Sequence, residues 1–179
     1  MSDTIQIHDK EFKIFIPSEY IEDEVKSLAQ KLEKEYQEKN PIFLVVLNGA
    51  FMFAADLLKN YSKSCDISFI KLSSYQGMNS SGKVEVGINF SIDVENRHVI
   101  IVEDIVDTGL TIQELKHQLK NNNPASIEVC TLLFKPEAFR GIEPPKFQGF
   151  VISNTFVLGY GLDYNERGRN LKDLYQLKE

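Results

Sequence analysis

Several features are scarce in this sequence: it contains no tryptophan, only two cysteines, and no apolar run long enough to cross a membrane. Cys65 and Cys130 both lie in or beside apolar stretches, which favours reduced, buried thiols over a disulfide or a metal site. Positive charge is also in deficit, because 20 Lys and Arg residues against 26 Asp and Glu residues leave a formal net charge of −6. This balance argues against a general binder of nucleic acid or anionic membranes. The N-terminus lacks the apolar core of a secretory signal, so we expect a cytoplasmic protein without membrane or nucleic-acid partners.

The features that are present are those of a single α/β domain. The length of 179 residues suits one domain with a substantial core, and no repeat or linker marks a second one. Helical patterns begin at Ser18, which is predicted to cap its helix, at Phe51 and at Ile112. This alternation predicts a twisted, mostly parallel central sheet with helices on both faces. Strands are predicted at 4–15, 42–47, 66–72, 86–92, 99–102, 126–134, 150–154 and 156–160.

One stretch, residues 98–111 with the sequence HVIIVEDIVDTGLT, carries the strongest signal of a binding site. Its β-branched run at 99–102 predicts a strand buried on both faces, and the acids Glu103 and Asp104 follow directly. The segment Asp107-Thr108-Gly109-Leu110-Thr111 then leads into a helix. In open α/β sheets, ligands bind at this end of the strands.

The residue types in this stretch indicate a sugar phosphate. Backbone amides and hydroxyls at 108–111 lie beside a helix N-terminus, where a phosphate is favoured, and Gly109 lets an anion approach the backbone. Glu103 and Asp104 would repel that phosphate, but they suit ribose hydroxyls or a bound cation. Asp107 lies between the two regions. The pattern therefore predicts a site for ribose 5-phosphate.

Two stretches carry a resemblance to a known family. Residues 98–111 resemble the phosphoribosyl-diphosphate signature of the type I phosphoribosyltransferases: an apolar strand, two acids, two apolar residues and then D-T-G-x-T. The C-terminal stretch FVLGYGLDYNERGRNLKDLY resembles the matching block of the members that use hypoxanthine and guanine. The resemblance extends from residue 42 to about 171, and an ordinary strand–turn–helix with scattered acids does not account for it.

The resemblance implies a fold and a reaction. The fold is the type I phosphoribosyltransferase sheet in a single domain, 1–179, with a small hood formed by about 1–17 and 150–179. The reaction is the transfer of ribose 5-phosphate from phosphoribosyl diphosphate to a 6-oxopurine base, hypoxanthine or guanine, with release of pyrophosphate. The family also implies Mg²⁺ as cofactor and assembly as a homodimer or homotetramer.

The resemblance also implies the roles of the site residues. Asp107 would exchange a proton with the purine ring, and Lys135 would contact the exocyclic oxygen of the base, although such a lysine could simply extend along an apolar surface. Phe156 would stack on the base, unless it is only a core residue, and Val157 would offer its backbone groups. Asp163 would contact magnesium together with Glu103 and Asp104, and Arg169 would contact pyrophosphate. The alternative for Asp163 and Arg169 is an exposed ion pair.

Two further segments match less completely. Asn48-Gly49 follows a buried strand and precedes a helix, where the family has its pyrophosphate-binding loop, usually with a Lys before the Gly. With Asn48 at that position, binding would depend on backbone amides; the alternative is a plain crossover turn. Residues 73–85 have the composition of a mobile loop, in which Ser74-Tyr75 matches the family's catalytic lid.

Other functions remain open at this point. The same fold could transfer ribose 5-phosphate to orotate, uracil or adenine, and Lys135 and Phe156 weigh against this. A regulator that senses phosphoribosyl diphosphate would keep the central loop, but it would usually need a nucleic-acid-binding surface that this acidic chain lacks. A receiver-type domain would not explain D-T-G-x-T.

Overall fold

The computed structural model describes residues 4–71 and 92–178. The predicted loop at 73–85, with Ser74 and Tyr75, lies outside these residues, as does the strand predicted at 86–92 except for its last residue. In the described part, the elements in chain order are β1 (Thr4–Ile7), β2 (Lys10–Ile16), α1 (Ser18–Tyr36), β3 (Ile42–Leu47), α2 (Phe51–Asn60), β4 (Asp66–Lys71), β5 (His98–Val106), α3 (Leu110–Lys120), β6 (Ser126–Phe134), β7 (Phe147–Val151), β8 (Val157–Leu158) and β9 (Leu174–Leu177).

In the described part of the chain, the central sheet has five parallel strands in the order β4-β3-β5-β6-β7. Successive side chains of β3 point to opposite faces. Phe43 and Val45 pack in the cluster that includes α1 and α2, whereas Ile42 and Leu44 pack in the cluster that includes α3. Both faces of the sheet are therefore covered by helices, which confirms the predicted fold class.

A second, smaller sheet is antiparallel and has the order β1-β2-β9-β8, so its strands come from both ends of the chain. Its side chains form a separate small core around Phe12, Leu158 and Tyr175. This sheet occupies the segments from which the sequence predicted a hood. The division into one domain with a hood stays a prediction.

Helix α1 begins differently from the prediction. Pro17, not Ser18, is its N-cap residue, and no side chain at that position accepts a hydrogen bond. The Ser18 backbone N–H instead donates to Asp173 Oδ1 at 2.7 Å, across 155 residues of sequence. The predicted cap is wrong because proline precedes the helix and a distant carboxylate satisfies its first free amide. No helix in the part of the chain that the structure describes is long and apolar enough to cross a membrane.

Candidate active site

The two neighbouring acids lie within the central strand and not after it. β5 continues to Val106, and Glu103 still pairs with Thr131 of β6. The expectation that the strand ends at 102 is therefore wrong, because the backbone ladder to β6 extends past the acidic pair. As a result, Asp104 is only 7% exposed.

The environment of this pair favours its protonated forms. Burial raises the pKa of Glu103 well above its ordinary range, and the neighbouring Asp104 carboxylate raises it further. Burial also raises the pKa of Asp104, although the Ile105 backbone N–H, which donates to Asp104 Oδ1 at 2.7 Å, opposes this. Both carboxyl groups are thus costly to bury in their charged form, and a ligand that brings hydroxyl groups or a cation would offset that cost.

Gly49 brings the loop after β3 against this acidic pair. A Cβ atom added at Gly49 would lie 1.5 Å from Asp104 Oδ2, so any side chain there would collide with the carboxylate. The loop that contains Asn48 and Gly49 therefore packs directly on the end of β5. This contact joins the predicted pyrophosphate loop to the predicted ribose-binding acids.

The loop at 107–111 turns sharply into α3. Gly109 is the N-cap residue with φ +75°, a left-handed conformation that side chains disfavour. A Cβ atom at Gly109 would also lie 2.3 Å from the Phe139 ring, and the Arg140 N–H donates to the Thr108 carbonyl at 2.9 Å. Segment 139–140 therefore holds the loop from behind. Within the described ranges, no side chain caps α3, so amides at its N-terminus can bind an anion.

Lys135 and Asp107, which directly follow β6 and β5, form an ion pair. Lys135 Nζ lies 3.3 Å from Asp107 Oδ2, and the lysine side chain is 8% exposed against 47% for the aspartate. The Lys135 backbone N–H donates to the Val106 carbonyl at 3.0 Å, which fixes the lysine to the end of β5. The ammonium thus points into the site and does not extend into solvent.

Phe156 presents an open ring with aromatic support. It is 44% exposed, and its centroid lies 6.2 Å from Phe12 and 5.7 Å from Tyr164. The Tyr164 contact is edge-to-face, a favourable geometry for aromatic rings. Val157, the next residue, is buried in β8. The ring is therefore held from behind by the smaller sheet and leaves a surface for a ligand.

Asp163 and Arg169 pair with each other. Arg169 Nη2 lies 2.6 Å from Asp163 Oδ1, and the Glu166 N–H donates to Asp163 Oδ2 at 2.7 Å. Arg169 Nη1 also donates to the Gly161 carbonyl at 2.8 Å. The ion pair that the sequence left as the alternative is present. The side chains of Arg169 and Asp163 are 30% and 27% exposed. Both line a cavity that Asp107 and Lys135 also line.

A single cavity of about 270 Å³ brings most of the predicted residues together. Sequence reasoning missed two apolar residues of its lining, Ile105 and Leu162, because both look like ordinary core positions. Glu103 and the predicted phosphate loop at 108–111 are not among the lining residues, although the same strand and loop connect them to the cavity. The predicted residues in the lining are Asn48, Gly49, Asp104, Asp107, Lys135, Phe156, Val157, Asp163 and Arg169.

The donors available for a metal are carboxylates shared with other partners. Among the described residues, no group of three or more His, Cys, Asp or Glu side chains could hold a metal ion. In the same part of the chain, Glu103 Oε2 is buried without a hydrogen-bond partner. Mg²⁺ commonly takes one or two protein carboxylates and completes its shell with water and substrate phosphate oxygens. The residues therefore fit a magnesium ion that arrives with its ligand.

The chain is similar to known proteins over most of its length. A family model described as the phosphoribosyl transferase domain matches residues 17–165. The chain is 37% identical over 180 residues to a hypoxanthine-guanine-xanthine phosphoribosyltransferase of Tritrichomonas foetus, covering 100% of this chain and 98% of that protein. It is 36% identical over 176 residues to a hypoxanthine-guanine phosphoribosyltransferase of Aquifex aeolicus, covering 97% and 99%.

The fold has a similar counterpart among solved structures. A crystal structure of a hypoxanthine-guanine phosphoribosyltransferase from Bacillus anthracis, with a HEPES molecule in its active site, aligns with a TM-score of 0.86. The two sequences are 34% identical, and the alignment covers 93% of this chain and 98% of that one. The similarity therefore extends over both sheets.

Proposed function

The chain belongs to the phosphoribosyltransferase family, and on that basis we propose that it is a purine-salvage enzyme of the hypoxanthine-guanine type. It transfers ribose 5-phosphate from phosphoribosyl diphosphate to nitrogen N9 of hypoxanthine, guanine or both. The C1–O bond to pyrophosphate breaks, the N9–C1 bond forms, and the base loses one proton. The products are IMP or GMP and pyrophosphate.

One observation carries this proposal: the cavity places the Asp107–Lys135 pair beside an exposed aromatic ring, Phe156. An ammonium and a carboxylate beside a stacking surface match a flat heterocycle that has both a carbonyl oxygen and an acidic ring N–H. The next four residues, 108–111, provide an anion site at a helix N-terminus. The proposed base site and the proposed phosphate site are therefore adjacent in the sequence.

The sugar and its phosphate are held by different groups. We assign the 5′-phosphate to the backbone amides and hydroxyls of Thr108, Gly109, Leu110 and Thr111. The ribose hydroxyls donate to the buried carboxyl groups of Glu103 and Asp104, which also stabilise positive charge that develops on the sugar as pyrophosphate leaves. Binding the sugar at buried acids also excludes water from the reacting carbon.

The base is selected and deprotonated by the ion pair. Lys135 donates to the exocyclic oxygen at C6, and an amino group at that position would leave the ammonium without an acceptor, so adenine is disfavoured. Asp107 accepts the proton that the purine ring loses. Phe156 stacks on the base, and the Val157 backbone contacts its edge.

A separate set of residues would hold pyrophosphate and magnesium. We propose that Asn48, Gly49 and Arg169 contact pyrophosphate, and that Asp163, with Glu103 and Asp104, holds Mg²⁺ together with the substrate. When bound, the ion neutralises charge on the leaving group. Asn48 and Gly49 carry no charge, so Arg169 is the one positively charged residue among those we assign to pyrophosphate.

The setting of the enzyme is inferred from its surface and its thiols. Ile67 and Phe69, on the edge strand β4, are 47% and 58% exposed, which supports the homodimer or homotetramer that the family implies. Both cysteines are free, which fits a reducing, cytoplasmic compartment.

A substrate screen tests the proposal. The purified protein is incubated with phosphoribosyl diphosphate, Mg²⁺ and hypoxanthine, guanine, xanthine or adenine, and nucleotide formation is followed by chromatography. We expect IMP and GMP, and at most trace AMP. Turnover with adenine alone would assign a different base, and binding of phosphoribosyl diphosphate without any turnover would indicate a sensing regulator.

A further inference from the structure

Tyr160 adopts an unusual conformation for a large buried residue. Its side chain is 4% exposed, and its φ of +48° lies in the left-handed region between Gly159 at +98° and Gly161 at +103°. An aromatic residue rarely adopts this region, and such strain persists only where surrounding contacts determine it. The strain therefore indicates that the position of this side chain matters.

The contact that holds Tyr160 reaches across the molecule. Its hydroxyl donates to Asp56 Oδ2 of α2 at 2.7 Å, over 104 residues of sequence. Burial and this hydrogen bond both raise the pKa of Tyr160, so the hydroxyl remains a donor. The carboxylate is fixed in turn by Lys59, whose Nζ lies 3.0 Å from Asp56 Oδ1.

The two segments that Tyr160 joins form the two halves of the proposed pyrophosphate subsite. On one side, α2 begins directly after the loop that contains Asn48 and Gly49. On the other side, Gly161 forms two hydrogen bonds with Arg169. Its carbonyl accepts from the side-chain Nη1 at 2.8 Å, and its N–H donates to the Arg169 backbone carbonyl at 2.9 Å. The arginine is thus fixed to the turn that carries Tyr160.

The two halves meet backbone to backbone at Gly161 and Gly49. A Cβ atom at Gly161 would lie 2.0 Å from the Gly49 carbonyl oxygen, so the backbones are in close contact. Close backbone packing sets a distance but does not resist sliding along the contact. The Tyr160–Asp56 hydrogen bond supplies the lateral restraint, because it is directional and lies away from the contact.

We propose that Tyr160 is a positioning residue that, through Asp56, holds Arg169 in register with the Asn48-Gly49 loop. The inference rests on the proposed function. Tyr160 touches neither substrate in this arrangement, and the base-stacking ring of Phe156 has separate support from Phe12 and Tyr164. Loss of the restraint should therefore weaken the pyrophosphate end of the site and leave the base end unchanged.

The test compares Tyr160→Phe with Tyr36→Phe. Tyr36 is 1% exposed on α1 and packs against His98, the first residue of β5, so it controls for loss of a buried hydroxyl far from the site. We expect Tyr160→Phe to raise KM for phosphoribosyl diphosphate, and for pyrophosphate in the reverse reaction, about three- to tenfold. KM for hypoxanthine should stay unchanged, and Tyr36→Phe should leave all three constants at wild-type values.

A second pair of variants keeps the test valid if Tyr160→Phe does not fold. Asp56→Asn retains an acceptor oxygen and should stay near wild type, whereas Asp56→Ala should reproduce the rise in both KM values. Wild type without nucleotide formation would overturn the proposed function and the inference together. An active wild type whose Tyr160→Phe and Asp56→Ala variants keep both KM values, or raise KM for hypoxanthine equally, would overturn the inference alone.

Discussion

At the residue scale, the site depends on two opposite charges that satisfy each other before any substrate binds. Lys135 is almost fully buried, and an ammonium in that position is stable because Asp107 lies 3.3 Å away. A purine that inserts its carbonyl oxygen at Lys135 and its ring N–H at Asp107 replaces this one contact with two. The pair is thus a stabilising contact in the free protein and, under the proposed function, the recognition element for the base.

Replacing Asp107 with Asn should separate hydrogen bonding from proton transfer. The amide oxygen still accepts a hydrogen bond, but it cannot take up the proton that the purine loses. We expect kcat for IMP formation to fall about a hundredfold, with a smaller change in KM for hypoxanthine. Steady-state kinetics with Asp23→Asn, an exposed acid on α1, provides the control. A kcat close to that of wild type would remove Asp107 from proton transfer.

Sequence alone predicts the residues of this site that share a strand or its following loop. Asp104 and Asp107 were predicted because ligands bind at the carboxyl ends of parallel strands, so the local pattern of one strand and its loop suffices. Lys135 follows the next strand, and only the family resemblance favoured a role for it in the site. The Tyr160–Asp56 contact could not be predicted, because its partners are 104 residues apart and nothing in the C-terminal stretch that contains Tyr160 points to Asp56. Long-range pairs of this kind depend on the tertiary fold.

At the scale of elements, apolar runs predicted most of the central strands, and their ends were less certain. β5 extends four residues past the predicted strand, because pairing with β6 continues through the acidic pair. β7 begins at Phe147, three residues before the strand predicted at 150–154, and β9, Leu174–Leu177, was missed. Both of these strands have five or fewer residues, too few for a periodic pattern to stand out.

The capping of α1 by Asp173 gives a prediction at this scale. Asp173→Ala removes the acceptor for the Ser18 N–H and the negative charge at the helix N-terminus, so the free energy of unfolding should fall by about 1 kcal/mol. In a chain of this size, that corresponds to a Tm about 2–4 °C lower by calorimetry. Asp173→Asn should lose less, because its amide oxygen can still accept the bond. An Asp173→Ala protein as stable as an Asp23→Ala control would contradict the cap.

At the scale of the whole molecule, the two sheets have different roles. The parallel sheet carries the acids, the predicted phosphate loop and Lys135, while the smaller sheet supports Phe156 from behind. The layers were predictable because β-branched runs require helices on both faces. The strand order was not predictable. The pairing of β2 with β9 was not predictable either, because it joins the two ends of the chain.

Cys130 offers a chemical measure of the stability of the whole molecule. It is 0% exposed on β6, between Val102 of β5 and Phe147 of β7, and burial raises the pKa of its thiol. Because the thiolate is the reactive form, we expect no alkylation until the central sheet opens. In a Cys65→Ser variant, mass spectrometry after iodoacetamide treatment would then report the labelling of Cys130 alone.

Ligand binding should slow this labelling if the site and the core open together. A ligand that binds only the folded state stabilises it by RT ln(1 + [L]/Kd), so IMP at about a hundred times its Kd should slow labelling about a hundredfold. This holds when opening and closing are fast relative to alkylation, which a rate proportional to iodoacetamide concentration would verify. A labelling rate that IMP does not change would mean that β6 opens while the nucleotide stays bound. Because Lys135 directly follows β6, that result would contradict our placement of the base at the end of this strand.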